Sequence, residues 1–400
     1  MKKTAYIHVG MPKTGTSAIQ STLQRFFREG KLDKFDMQFH SSNISRNIHH
    51  LSYTGDVEFF AEQTHKKIRK HSKIGAKNVI YSSEHIAAVF DNKYKGVRVD
   101  LLPALATAFK DYNIKIIIYI RRQDILIESL INQHFKSGRY TTYDNTKFYY
   151  KELLDKCSEL FGGEVIVRKY EQGALYQSDV VTDFLQIIGL EELIDDYKKK
   201  KGKTVNSSLA PKACRIAAIN NQQYALNEAE IESKVEHVEN QYKNGVISRS
   251  AYITYMYDYL RGIDQQKFPY SAISTQSKIL KMNSSFSYST SNQGLFSAED
   301  RMKIMAQYAE DNAAVAREYF GCEDGKLFND KMPKEVVDIN EEPSVADVIQ
   351  AVMPVLINLT QRCERLERPL LKRFFLDRKD FGKRVWEKLR LKYARIFNKR

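Results

Sequence analysis

Hydrophobic positions along the first half of this chain follow two periods that alternate. Short continuous apolar or β-branched runs stand at Tyr6 to Val9, Val79 to Ser82, Lys115 to Ile120 (KIIIYI) and Val165 to Val167. Runs of that kind suit strands buried on both faces of a parallel sheet. Between them lie helix-like segments: Ala18 to Phe27, Leu101 to Tyr112, Ile125 to Lys136, Phe148 to Leu160, and Val180 to Ile188, which Gly189 stops. The alternation predicts an α/β fold, a doubly wound parallel sheet flanked by helices with right-handed crossovers. Residues 28 to 75 read as a polar stretch.

The second half changes pattern. Residues 210 to 262 read as helical, and 265 to 297 lose their period and become a loop or lid rich in Ser, Tyr and Asn. Ser297-Ala298-Glu299-Asp300 then opens a helix of about 20 residues ended by Gly321. The expected organisation is an α/β domain over 1–330 with a helical or lid insertion at about 210–297, followed by a helical extension over 331–400. In that extension Ser344 to Glu367 carries one apolar stripe, bent at Pro354. From Pro369 onward there are twelve Lys/Arg against three Asp/Glu. Phe381, Val385, Trp386, Leu389, Tyr393, Ile396 and Phe397 recur there at helical steps, which makes a basic amphipathic tail.

Charge adds a partner class. The formal net charge of the 400 residues is +14, so anionic ligands or surfaces are expected. The four cysteines, Cys157, Cys214, Cys322 and Cys363, have no metal or redox spacing. His40, His49, His50, His65 and His71 match no common ligand set, and no metal is expected. Met1-Lys2-Lys3 resembles the start of a secretion signal, but the apolar run after it is too short. A cytoplasmic protein is the expectation.

The first predicted strand runs into Gly10-Met11-Pro12-Lys13-Thr14-Gly15-Thr16-Ser17, and a helix follows. In that order, backbone N–H groups and a helix N-terminus converge on one spot that favours an anion. Thr16 and Ser17 add hydroxyl donors, and Lys13 adds a full charge. The glycine spacing fits the first half of G-x-x-x-x-G-K-[ST], a nucleotide-triphosphate loop. The second half does not fit: Thr16 stands in the lysine position and the lysine comes early, at 13.

A phosphate loop on the first strand directs attention to the ends of its neighbours. Arg121 leaves one strand, and Ser129 follows eight residues later on the next helix. A guanidinium and a hydroxyl so placed can pinch a phosphate. Glu84-His85 ends another strand. A carboxylate there repels an anion but can take a proton from an acceptor, and His85 is the competing base.

The string HVGMPKTGTSAIQSTL resembles the 5′-phosphosulfate loop of sulfotransferases that use 3′-phosphoadenosine-5′-phosphosulfate (PAPS). Its Lys13-to-Ala18 portion is similar to the form found in carbohydrate sulfotransferases, heparan sulfate N-sulfotransferases and bacterial relatives. YIRRQDILIESLINQ resembles the 3′-phosphate segment of the same family, with Arg122 an alternative in register to Arg121. The resemblance implies a P-loop-type sheet and PAPS as sulfuryl donor. It implies that Lys13 stabilises the leaving group, that Thr14, Gly15, Thr16 and Ser17 cradle the 5′-phosphate, and that Arg121 and Ser129 hold the 3′-phosphate. Glu84 becomes the base that deprotonates a carbohydrate hydroxyl or amine, a polysaccharide or glycolipid acceptor. Lys201-Gly202-Lys203 echoes a late phosphate-binding segment through Lys203. The aromatic that small-molecule sulfotransferases carry after the loop is replaced here by Ala18.

Two other functions compete with transfer of sulfate: a P-loop kinase or NTPase, and a non-catalytic sulfotransferase-like protein that binds glycan or membrane. The tail has two readings as well. Residues 372–400 could rest on the inner face of a membrane, or pack on the protein or on a second subunit through 344–367. No nucleic-acid module accompanies the charge.

Overall fold

The computed structural model describes residues 3–40, 78–88, 101–141, 148–161, 164–171, 173–200, 211–267, 269–282 and 293–329, with isolated residues and short pieces elsewhere between 56 and 336. The basic tail, the 344–367 stripe, Lys203, and His49, His50, His65 and His71 lie outside the described residues.

Five strands form one all-parallel sheet: β1 (Thr4–Gly10), β2 (Met37–His40), β3 (Asn78–Ser82), β4 (Asn113–Ile120) and β5 (Glu164–Lys169), in the order β2-β3-β1-β4-β5. The apolar run of β4 is buried on both sides, as its β-branched sequence requires. Ile116, Ile118 and Ile120 enter one core, whereas Ile117 and Tyr119 enter the other. β2 corrects the reading of 28 to 75 as merely polar. Its Met37 and Phe39 are buried.

Helices cover both faces. α1 (Thr16–Arg28) turns Ile19, Leu23 and Phe26 onto one face, at helical steps, and α5 (Val180–Ile187) packs beside it. The Asp179 side chain caps α5 by accepting from the N–H groups of Val181 and Thr182. The other face is covered by α2 (Leu101–Ala108), α4 (Tyr150–Phe161) and the last described helix, α11 (Ala309–Phe320).

A third core joins α3 (Gln123–Lys136) to α6 (Pro211–Tyr224), α9 (Tyr270–Met282) and α10 (Ala298–Gln307). α7 (Glu228–Lys243) and α8 (Arg249–Tyr259) pack on each other through Val235, Val238, Tyr252 and Met256. α9 corrects the expectation of a structureless lid over 265 to 297. The long helix expected from Ser297 to Gly321 is two helices that meet at Tyr308. Its predicted ends hold: Ser297 and Asp300 make a reciprocal capping box, and Gly321 closes α11 with a φ of 63°. Among the described residues no helix is long and apolar enough to cross a membrane.

α1 leaves β1 towards one face, whereas the chain after β3 leads to α2 on the opposite face. β1 and β3 are neighbours, so a crevice opens between their carboxyl ends, where ligands settle in such sheets.

Candidate functional site

Three strand ends meet at that crevice. The register of β1 against β4 shifts between His8 and Gly10, a bulge that turns the end of β1. The chain then forms the loop 11–15. Met11 N donates to the Tyr119 carbonyl at 3.0 Å, tying the loop to β4. Thr14 is fully buried and its Oγ1 donates to the Met11 carbonyl at 2.6 Å, closing the turn. Thr14 therefore shapes the loop from inside with its hydroxyl.

The two glycines have separate tasks. Gly10 has a φ of 113°, and a Cβ there would lie 3.2 Å from the Glu84 Cα. It lets the loop lie directly against the end of β3. Gly15 has a φ of 83°, and a Cβ there would lie 2.6 Å from Val180 Cγ1. Its lack of a side chain is required by packing against α5. Lys13 also takes a positive φ, 65°, a conformation that is uncommon outside glycine.

Arg121, at the end of β4, donates from Nη1 to the Lys13 carbonyl at 2.8 Å. Its guanidinium also lies 5.2 Å from the ring centroid of Tyr170, at the end of β5. Behind it, the Tyr150 hydroxyl donates to the Arg121 carbonyl. Burial lowers the pKa of the half-buried Lys13, the Arg121 charge lowers it further, and Glu84 opposes both. Lys13 thus sits in the combined field of a cation and a carboxylate.

Glu84 follows β3 and is half-buried. Gln20, on α1, donates from Nε2 to Glu84 Oε2 at 3.1 Å and to the Ser82 carbonyl at 3.2 Å. His85 begins a single turn, His85–Ala88, and its side chain lies outside the described residues.

At the start of α1, Thr16 is 4% exposed and its Oγ1 has no partner. No side chain caps this helix and no acidic residue stands in its first turn. Ser17 is exposed. The Ala18 N–H donates to the Gly15 carbonyl at 2.9 Å. The N–H groups of Thr16 and Ser17 and the Thr16 hydroxyl remain as donors without an acceptor among the described residues, the arrangement that receives an anion.

Ser129 lies half-buried in the second turn of α3. Arg122, the alternative in register, points elsewhere than Arg121. It is 5% exposed and turned inward, where Nε and Nη2 hold both Asp124 oxygens at 2.7 and 3.0 Å.

Sequence reasoning missed Gln20 and Tyr170. Gln20 stands four residues after Thr16, one helical turn along the same face, so it was within reach of a periodicity argument. Tyr170 follows the strand β5 directly, the position at which ligand-side residues of parallel sheets stand.

No family model matches the chain. A stretch of 238 residues is 24% identical to an uncharacterized protein of Archaeoglobus fulgidus, covering 56% of this chain and 54% of that protein. The chain thus spans about half the length of that relative, whose description names no activity.

Proposed function

We propose that this protein transfers a sulfuryl group from PAPS to a hydroxyl or amine of a carbohydrate. The observation that carries the reading is the Arg121 bond to the Lys13 carbonyl: it sets two cations beside the unpartnered donors of α1, with Glu84 across the crevice. The residues fit a phosphosulfate: a buried hydroxyl with no acceptor, uncapped N–H groups and a lysine. The strand order, with its loop after the central strand, supports a P-loop-type sheet.

In this reading Thr14 to Ser17 surround the 5′-phosphate, Thr14 through backbone and the others with donors. Arg121 and Ser129 receive the 3′-phosphate. Glu84 takes the proton from the acceptor hydroxyl or amine. Lys13 neutralises the charge that gathers on the oxygen between sulfur and 5′-phosphate as that bond breaks. A cytoplasmic setting, with 372–400 against a membrane, belongs to the same proposal.

Thermal stability with adenosine 3′,5′-bisphosphate, compared with ADP and ATP, tests the donor site. Ligand at about 100 times its dissociation constant adds about 2.7 kcal/mol of stability. A shift selective for the bisphosphate is expected; an equal or larger shift with ATP points to a kinase and overturns the reading. Sulfate transfer by Glu84→Gln then tests the base. Undiminished transfer removes Glu84 from that role.

A further inference from the structure

The end of β4 is held carbonyl by carbonyl. The Tyr119 carbonyl accepts from Met11 N of the loop at 3.0 Å, and the Ile120 carbonyl accepts from Tyr170 N at the end of β5 at 2.7 Å. The Arg121 carbonyl accepts from the hydroxyl of Tyr150, the first residue of α4. The first two bonds are backbone to backbone and need no particular side chain. The third depends on one phenol oxygen.

That oxygen is supported from behind. Tyr150 is fully buried, and burial raises its pKa well above the ordinary tyrosine value, so the hydroxyl stays a donor. Asp311, on α11, caps the helix that carries it. Its Oδ2 accepts from Tyr150 N at 2.8 Å and its Oδ1 from Lys151 N at 3.0 Å.

The same helix grips the chain on the other side of Arg121. Gln123, which begins α3, exchanges two amide bonds with Asn312: Gln123 Nε2 donates to Asn312 Oδ1 at 2.7 Å, and Asn312 Nδ2 donates to Gln123 Oε1 at 3.1 Å. Both side chains are buried. Neighbouring residues of α11 thus fix Tyr150 and Gln123. The Arg121–Arg122 peptide is tied to both, through its oxygen to Tyr150 and through the chain to Gln123.

The orientation of this peptide decides which arginine meets the loop. Arg121 sends Nη1 to the Lys13 carbonyl at 2.8 Å, whereas Arg122 turns inward to Asp124 at 2.7 Å. Adjacent residues of an extended chain point to opposite sides, so a rotation of the peptide at this exit would move both side chains.

We propose that Tyr150 is a positioning residue: by holding the Arg121 carbonyl it keeps the Arg121 guanidinium on the Lys13 loop, and so sets the preference for a ligand that carries a 3′-phosphate. This rests on the transfer reading above, in which Arg121 receives that phosphate. It goes further by assigning the discrimination to a buried residue that acts only through the backbone of another.

Tyr150→Phe removes one oxygen and keeps the ring. Calorimetry on one sample measures its affinity for adenosine 3′,5′-bisphosphate and for adenosine 5′-monophosphate, which lacks the 3′-phosphate. Bisphosphate affinity at least tenfold weaker, with monophosphate affinity retained, is expected. A preference for the bisphosphate equal to that of wild type, or an equal loss for both ligands, overturns the positioning role and leaves the transfer reading standing. A wild type that binds the two ligands equally well removes the 3′-phosphate reading and this proposal with it.

In an Arg121→Gln background, Tyr150→Phe is expected to cost no further bisphosphate affinity, because the residue through which it acts is gone. A second loss of similar size overturns the proposal. NMR of the wild type labelled at the tyrosine Cζ is independent of variant folding. The Tyr150 resonance is expected to shift with saturating bisphosphate and to stay in place with monophosphate. A resonance that bisphosphate leaves unmoved, or that both ligands move alike, overturns the proposal.

Discussion

Gln20 Nε2 lies 3.1 Å from Glu84 Oε2 and also reaches the Ser82 carbonyl and hydroxyl. One amide on α1 therefore joins the helix that follows the loop 11–15 to the end of β3. It fixes the orientation of the carboxylate proposed as base. Gln20→Leu keeps the volume and removes the bond. The expected outcome is a kcat about tenfold lower with an unchanged KM for the donor, because orientation of the base is lost while the phosphate cradle remains. Steady-state kinetics separate the two. A rise in donor KM with normal kcat would mean that Gln20 supports the loop and has no part in holding the base.

Two histidines make stability sensitive to acid. His8 is fully buried, its Nδ1 2.8 Å from Ser82 Oγ and its ring edge-on to Tyr119. Burial alone holds it at about 3, and His134 stands at about 3 as well, against an ordinary value of 6.5. The unfolded chain therefore gains these protons as pH falls below 6.5, whereas the folded chain does not until about 3. Their contribution is fully present above 6.5 and is lost as pH falls towards 3, by up to about 1.4 kcal/mol per pH unit for each group. Asp258 and Asp311, raised by burial, act in the opposite sense, so a difference between proteins is the cleaner readout. Urea unfolding of wild type and His8→Gln should show a stability gap that narrows steadily from pH 6.5 to about 4.5. A constant gap would show that His8 does not carry the effect.

Local signals made much of this arrangement legible. A β-branched run ending in arginine announces a buried strand with a charged exit, and Gly10 to Ser17 after a strand announces a tight loop that opens a helix. β2 was hidden because Met37–His40 is short and its chain period is too brief to read. α9 was hidden because its Ser-rich sequence has little helical patterning, and its burial of Ile273 and Leu280 depends on α3 and α6 already being in place. Arg122 and Arg121 look equivalent in sequence. They are separated by the twist of the chain at the end of β4 and by the presence of Asp124, which takes the second arginine inward.

Arg301 is fully buried on α10. It donates to Asp124 at 2.9 Å and to Glu128, while Arg122 holds Asp124 from the other side. Two arginines and two carboxylates thus join α10 to the start of α3, next to the strand that ends in Arg121. Arg301→Met leaves Glu128 and part of Asp124 uncompensated. The expected loss is about 3–5 kcal/mol in chemical denaturation, the cost of a broken buried pair. Adding Glu128→Leu should restore a substantial part of it, because the stranded charge is removed with its partner. A double variant no more stable than Arg301→Met would show that Arg301 acts by filling space and not by pairing.

Thr16 gives the sharpest division between folding and binding. Its hydroxyl is buried at the first turn of α1 with no partner, so the folded protein gains no hydrogen bond from it. Valine has nearly the same shape, and Thr16→Val removes an unsatisfied polar group from a buried position. Thermal stability of the free protein should therefore hold or rise. A phosphate oxygen held by that hydroxyl would lose a hydrogen bond to a charged group, worth about 1.5–3 kcal/mol. Affinity for adenosine 3′,5′-bisphosphate should fall by at least about tenfold, since 1.4 kcal/mol corresponds to a factor of ten. Calorimetric titration beside a melting curve measures both effects on one sample. A variant that binds the bisphosphate as tightly as wild type would remove Thr16 from the anion cradle. A variant that melts early would show instead that the hydroxyl has a structural partner within the fold.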